Sequence, residues 1–244
     1  RLKIQQEKLI INERHEAWGS LARKLAHEIK NPLTPIQLTI DRIKNKYLDQ
    51  ISNDDQNNFS DNLKIINNQI KQIEKLVNEF SDFARMPKPV FKKNNIIDII
   101  ITNIKLMNEI DLSIKIDFKY NKPIILLNSD KEQISRVFLN LIKNSIESII
   151  EKSQKIPNLD KKITIELLEE NNHIFINVKD NGVGFFNLNN NIKDIVNPYF
   201  TTKKNGTGLG LSIVSKIIND HNGTNTFKPI NEGALVEMQF LRND

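Results

Sequence analysis

Cysteine is absent from the 244 residues, so the chain holds no disulfide and no thiolate metal site, in keeping with a reducing compartment. Long apolar runs are missing as well. The longest, Ile99–Ile101 and Ile124–Leu127, fall far short of the ~18 residues a spanning helix needs. Charges interrupt the first part of the chain throughout, which excludes a signal peptide there. No stretch is dominated by charge of one sign. Residues 1–85 carry 14 basic and 12 acidic side chains (+2) and the remainder 21 and 18 (+3), which together give the net +5. Without a block of like charges there is no nucleic-acid footprint. Hydrophobic residues at 39% and charged residues at 27% describe a globular chain of one or two domains. The start at Arg1 rather than methionine predicts further sequence upstream, and any membrane segment would lie there.

Glycine is scarce in an uneven way. Of 8 in the chain, Gly19 alone precedes residue 181, and five fall between Gly182 and Gly210. A glycine-poor first part predicts long uninterrupted helices, and the later cluster predicts backbone brought close to a ligand.

From Phe59 the apolar residues run Phe59, Leu63, Ile66, Ile70, Ile73, Val77, Phe80, Ala84, alternately four and three apart, an unbroken heptad seam. Upstream, Trp18, Ala22, Leu25, Ile29, Ile36, Ile40, Ile43 and Tyr47 form a similar stripe, and the polar turn Ser52–Asn58 separates the two. This pattern predicts an antiparallel helical hairpin. Two heptad-bearing helices cannot bury their faces alone, so pairing with a second copy into a dimeric four-helix bundle follows. Residues 1–17 continue the first helix with weaker periodicity.

His27 lies about 200° around the helix from Leu25 and is predicted to face solvent. Lys24, Asn31 and Thr34 share its face, and Pro32 and Pro35 remove two backbone donors just below it. Alone, such a histidine reads as an ordinary surface residue. His15, His173 and His221 have equally plain readings, the last as a cation at a helix C-terminus. No two histidines have metal-ligand spacing, so zinc is not expected.

Met86-Pro87-Lys88-Pro89 breaks the helix. Beyond it the pattern predicts a helix over 96–108, strands over 113–118 and 124–127, and a helix capped by Asp130 that runs through Ile150. It then predicts a hairpin of 163–168 with 174–178, a last helix over 208–219, and strands over 224–227 and 234–241. The class is α/β with a mixed sheet. Four clusters punctuate it. Asn140 and Asn144, on one helix face beside Lys143, offer hard amide oxygens suited to Mg²⁺. Asp180-Asn-Gly182-Val-Gly184 places a carboxylate at a strand end, able to accept from a base amino group, with two glycines allowing close approach. Asn197-Pro-Tyr-Phe200-Thr-Thr-Lys203 reads as a loop pinned by Phe200, with Lys203 near phosphate. Gly206-Thr-Gly208-Leu209-Gly210 opens a helix whose amides can cradle phosphate. Each of these is ambiguous by itself.

In this order, behind His27-Glu28-Ile-Lys-Asn31-Pro32, the four clusters resemble the catalytic core of the two-component sensor histidine kinases. Lys30-Asn-Pro-Leu-Thr-Pro-Ile36 and the phrase ending at Lys203 look closest to the NtrY-type nitrogen-regulation sensors. The resemblance covers nearly the whole chain. It implies an N-terminal signalling helix in 1–17, a dimerisation and histidine phosphotransfer domain in 18–85, a linker in 86–89, and a catalytic ATP-binding domain in 90–242. The last would be an α/β two-layer sandwich of the histidine-kinase and Hsp90-like ATPase type. By the same resemblance His27 accepts the γ-phosphoryl group of ATP, Glu28 orients the ring and takes its other proton, and Asn31 matches a position that orients water for dephosphorylating the partner. Asn144 matches the Mg²⁺ ligand, with Asn140 beside it, and Asp180 the adenine-recognising carboxylate, with Gly182 and Gly184. Phe200 and Lys203 belong to a lid over about 185–206, and Gly206, Gly208, Leu209 and Gly210 to the phosphate turn. Glu147 stands where some relatives carry a basic residue, which leaves Lys143, Lys203 or Lys204 to meet the phosphates. The implied partners are a second copy of the chain and the receiver domain of a response regulator, and no nucleic acid. The implied location is the cytoplasm, with the full-length protein held in the bacterial inner membrane by upstream segments. A regulator phosphatase and a catalytically inactive ATP-binding dimerisation scaffold are the alternatives.

Overall fold

The computed structural model describes residues 2–84, 86–110, 113–185, 192–203 and 206–242, with side chains described from residue 24 onward except at 53, 54, 110 and 193. Expectations resting on Trp18 and Ala22 concern side chains outside this set. The chain divides into two compact units, Arg1–Pro87 and Lys88–Asp244.

The first unit is a helical hairpin of α1 (Leu2–Tyr47) and α2 (Asn53–Ala84), joined by a 3₁₀ turn at Leu48–Gln50. Helix α1 runs unbroken through Pro32 and Pro35. The connection is tighter than the polar stretch suggests. Asn53–Asn58 already belongs to α2, and the carbonyl of Ser52 accepts from the N–H groups of Asp55 and Gln56. Asp55, at the positive end of the helix, suits this role.

The heptad seam divides between two destinations. Leu63, Ile70 and Val77, seven residues apart, are buried, as are Ala26, Leu33 and Ile40 on α1. Leu33, Ile40, Leu63 and Ile70 form one cluster with Ile43 and Phe59 packed on it. The other half of the apolar set, Leu25, Ile29, Ile36, Ile66 and Ile73, stays between 39% and 46% exposed in the single chain. The stripe expected on α1 is therefore met at Ile40 and Ile43, which pack in the hairpin core, but not before them. Ala26 and Leu33 face α2, whereas Leu25, Ile29 and Ile36 face outward.

The second unit is a two-layer α/β sandwich. A short antiparallel pair joins β1 (Lys92–Asn95) to β3 (Leu126–Ser129), and the main sheet has the order β2 (Lys115–Tyr120), β4 (Lys162–Glu170), β5 (His173–Asp180), β7 (Gly233–Leu241), β6 (Thr224–Ile230). Strands β2 and β4 are parallel and the other pairs antiparallel. Helices α3 (Ile96–Ile110), α4 (Lys131–Lys155) and α5 (Gly210–Asp220) form the second layer. Ile163, Ile165 and Leu167 of β4, Ile174, Ile176 and Val178 of β5, and Val236, Met238 and Phe240 of β7 alternate inward beneath them, the period of a sheet covered on one face.

Helix α4 follows its sequence closely. Asp130 caps it by accepting from the N–H groups of Glu132 and Gln133, and Ile134, Val137, Phe138, Leu141, Ile142, Ser145 and Ile149 are all buried. The β4–β5 turn places Asn171 and Asn172 at φ 47° and 66°, the left-handed pair of a two-residue hairpin. Strand β3 begins two residues later than its apolar run suggests, because Ile124 is 61% exposed and the inward set is Ile125, Leu127 and Ser129. Strand β1, Lys-Lys-Asn-Asn, carries no apolar alternation and has no signal in the sequence. Its Asn94 side chain donates to the Ser129 carbonyl at 2.7 Å.

His221 departs from its expected role. It does stand at the C-terminus of α5, but it is buried rather than a cation facing the helix dipole. Its Nδ1 lies 2.8 Å from the Ile217 carbonyl, Nε2 accepts from the Asp130 N–H at 3.0 Å, and the Phe91 ring meets it edge-on. With one nitrogen donating and the other accepting, the ring is neutral, and burial pushes its pKa down.

Candidate ATP site and phospho-acceptor histidine

His27 is exposed on α1, as its helical phase predicts, and so are Glu28 and Asn31. The Asn31 side-chain amide lies 3.4 Å from Nδ1 of His27. The ring's other nitrogen, Nε2, is therefore directed away from Asn31.

In the second unit the sequence clusters converge on one end of the sandwich. Asp180 closes β5, and its carboxylate is buried against α4. It accepts from the Gly182 N–H at 2.9 Å and from the Ser145 hydroxyl at 3.1 Å. Burial raises its pKa above the usual carboxylate range, and hydrogen bonds from Gly182, Ser145 and Ala234 oppose that rise together with the Lys203 charge.

The turn after Asp180 is fastened on both sides. The Lys152 ammonium donates to the Asn181 carbonyl at 2.8 Å, and Asn181 Oδ1 accepts from the Lys162 N–H. The Val183 N–H donates to Ser148 Oγ at 3.0 Å. A Cβ at Gly182 would stand 2.2 Å from Ser148 Oγ, and at Gly184, where φ is +69°, a Cβ would stand 2.3 Å from the Gly233 carbonyl oxygen. Only glycine fits these contacts, and they let α4 and the β6–β7 turn grip the site. Ser148 and Gly233 went unnoticed in the sequence, and Ser145 was read only as an inward-facing position of α4. The one available signal was the turn Asn231-Glu232-Gly233.

Asn140 and Asn144 share a face of α4, as expected. Asn140 donates its amide to the Arg136 carbonyl at 2.8 Å. A Cβ built on Gly210 would lie 3.3 Å from Asn140 Oδ1 and 3.5 Å from Asn144 Nδ2, so the start of α5 abuts the two asparagines. Helix α5 begins at Gly210, two residues later than expected, and no side chain caps it. Its first N–H groups are thus available to an anion. Gly206, Gly208 and Leu209 lead into it, and the Tyr199 N–H donates to the Gly208 carbonyl at 3.1 Å.

Among the described residues, Lys203 brings a cation to this site. Its Nζ lies 2.5 Å from Glu147 Oε2 and 3.5 Å from Asn144 Oδ1. Lys143 is exposed, and Lys204 lies outside the described residues, as do 186–191 of the expected lid. Phe200 is not the anchor of this segment: it is 36% exposed, whereas Ile195, in the 3₁₀ turn Ile192–Val196, is 4% exposed. The turn that carries Ile195 packs on α5, and Phe200 follows Tyr199, whose φ of 71° redirects the chain.

Comparison with known proteins agrees with this geometry. Residues 17–89 match the His Kinase A (phospho-acceptor) domain, and residues 129–243 match the histidine kinase-, DNA gyrase B- and HSP90-like ATPase. The nitrogen regulation protein NtrY of Azorhizobium caulinodans is 35% identical over 88% of this chain and 27% of its own length. A putative NtrY-like sensor histidine kinase of Rickettsia prowazekii is 35% identical over 98% of this chain and 38% of its own length. The chain thus spans between about a quarter and two fifths of these relatives. The crystal structure of histidine kinase ThkA in complex with response regulator protein TrrA is similar with a TM-score of 0.63 and 25% identity, over 98% of this chain and 66% of that one. With a phospho-acceptor module leading into an ATP-binding one, the chain belongs to the sensor histidine kinases.

Proposed function

We propose that this chain is a kinase core that moves the γ-phosphoryl group of ATP to His27 and from there to an aspartate of a response-regulator receiver domain. The observation that carries the reading is the pairing, in one chain, of an exposed histidine flanked by Asn31 with a site that gathers Asp180, Asn144 and the uncapped start of α5. In this reading Asp180 accepts from the adenine amino group, and the N–H groups at Gly210 receive phosphate oxygens. Asn144, with Asn140 beside it, would hold Mg²⁺. The fit is supported by Asn144 Oδ1, which already faces the Lys203 ammonium at 3.5 Å, a cation-accepting position. The metal would neutralise phosphate charge and hold the triphosphate in line.

In the tautomer that carries its proton on Nδ1, the Nε2 lone pair of His27 forms the new N–P bond as the bond to the ADP oxygen breaks. Glu28 takes the proton released from the ring, which makes it the general base. Residues 18–85 supply the acceptor and dimerisation surface, 86–89 the linker, 90–242 the ATP site, and 1–17 an incoming signalling helix. The outward apolar set Leu25, Ile29, Ile36, Ile66 and Ile73 supports closure of a four-helix bundle with a second copy. None of the described helices is long and apolar enough to cross a membrane. We place the chain's work in the bacterial cytoplasm, with membrane anchorage supplied by sequence outside it.

Asn31 also favours a second activity, dephosphorylation of the regulator through an oriented water. The test is transfer. Phosphorylated fragment, freed of ATP, is mixed with a purified receiver domain of the nitrogen-regulation type. Label is expected to leave the kinase and appear on the receiver, and to be absent from a receiver whose acceptor aspartate is changed to asparagine. Label that stays on the kinase with every receiver tried contradicts the second step.

A further inference from the structure

Asn140, Asn144 and Glu147 lie at i, i+4 and i+7 of α4, a single stripe along one face. The two amides suit a metal–phosphate group. A carboxylate next in line does not, since it repels the same phosphates. Glu147 is nevertheless partly exposed beside them, with its side chain 42% accessible.

The carboxylate has a specific partner. Lys203 reaches it from 56 residues away in sequence, Nζ to Oε2 at 2.5 Å, and the same ammonium stands 3.5 Å from Asn144 Oδ1. The lysine backbone is also tied down. Its N–H donates to Thr201 Oγ1 at 3.1 Å, and its carbonyl accepts from the Gly206 N–H at 3.1 Å. A lysine otherwise carries several freely rotating bonds and fixes its charge at no single point. Here it is held at both ends, with its charge beside the Asn144 amide.

We propose that Glu147 is a positioning residue for phosphoryl transfer: it holds the Lys203 ammonium beside Asn144, where that cation meets the triphosphate. The proposal rests on the ATP-site reading above and deepens it. It also accounts for an acidic residue at a place that should favour a base. The phosphate-directed charge comes from the segment before α5, and α4 supplies the carboxylate that aims it. Lys203 touches substrate in this account, and Glu147 acts through Lys203.

A double-mutant cycle tests the pair, using Glu147→Gln, Lys203→Ala and the double variant of this fragment. The readouts are the single-turnover rate of labelling at saturating Mg-ATP and equilibrium binding of Mg-ATP and of adenosine. Both side chains are partly exposed, so the fold is not at risk. Glu147→Gln is expected to slow labelling roughly tenfold or more, with adenosine binding unchanged. Lys203→Ala should slow it at least as much, and adding Glu147→Gln to Lys203→Ala should slow it no further. A carboxylate that merely repels phosphate predicts the opposite: Glu147→Gln tightens Mg-ATP and leaves the rate intact. That outcome overturns the proposal. So does equal slowing by Glu147→Gln with and without Lys203, which would point to direct metal contact. A wild-type fragment that takes no label at all refutes the ATP-site reading, whereas a labelled wild type with uncoupled variants refutes only the pair.

Discussion

Changing His27 to asparagine is expected to remove the phosphoryl label from the chain, a fall of about 10³-fold or more, and to leave ATP binding where it was. An imidazole nitrogen has a lone pair to offer phosphorus, whereas the amide nitrogen of asparagine has its pair delocalised into the carbonyl. Asparagine keeps the polarity and approximate size of the site, and on an exposed helical position it costs the fold little. The described histidines that remain are poor substitutes. His221 is buried with both nitrogens engaged, and His173 sits at the β4–β5 turn with Nδ1 against the Asn171 carbonyl. Nucleotide affinity should be unaffected because His27 and Asp180 belong to different compact units. Labelling and equilibrium titration with a fluorescent ATP analogue, made on the same preparation, separate the two effects. Label that survives the substitution means that a different side chain is the nucleophile.

Asp180→Ala should act on the other half of the reaction. A hydrogen bond to a charged acceptor contributes roughly 1.5–3 kcal/mol, so ATP affinity is expected to fall by about 10- to 100-fold, with adenosine losing as much as ATP. Labelling at subsaturating ATP falls with it. The loss of adenosine binding distinguishes this defect from one at the phosphates, where Asn144→Asp should impair Mg-ATP and spare adenosine. Acidity should mimic the substitution in part. Burial raises the Asp180 pKa, so protonation begins at a higher pH than for an ordinary carboxylate and ATP affinity declines as pH falls toward that value. The linkage to folding runs the other way. A native pKa above the unfolded one gives a stabilising contribution that is full in acid and is lost as pH rises through the native pKa. Nucleotide titrations across this range should show the acid decline in wild type and a flat profile in Asp180→Ala. A wild-type affinity indifferent to pH would contradict the assignment.

Much of this architecture was legible because it rests on local periodicity. The stripe Ile134 to Ile149 and the Asp130 cap specify α4 and hence the face that carries Asn140 and Asn144. The alternation around Asn171-Asn172 specifies the hairpin that ends at Asp180. The heptad seam was equally clear, but its division was not. Leu63 and Ile66 are both apolar, and which of them meets α1 depends on how the helices are rotated about their axes. Strand β1 was invisible because four polar residues pair at an edge through backbone and Asn94 alone. The role of His221 depends on an Asp130 N–H that lies 91 residues away. The same is true of Lys203 and Glu147: each was visible, but nothing local says that they touch. Phe200 was read as the anchor of its loop because aromatic rings carry a large apolar surface, whereas the buried residue is Ile195, in the turn that packs on α5.

Incubating the fragment with ATP labelled at the γ-phosphate, beside a parallel sample labelled at the α-phosphate, tests the central claim most directly. Transfer to a histidine nitrogen predicts label from the γ-labelled nucleotide only, dependent on Mg²⁺, lost in acid and retained in base. Label that arrives from the α-phosphate, label that resists acid, or no label despite measurable ATP binding would contradict it.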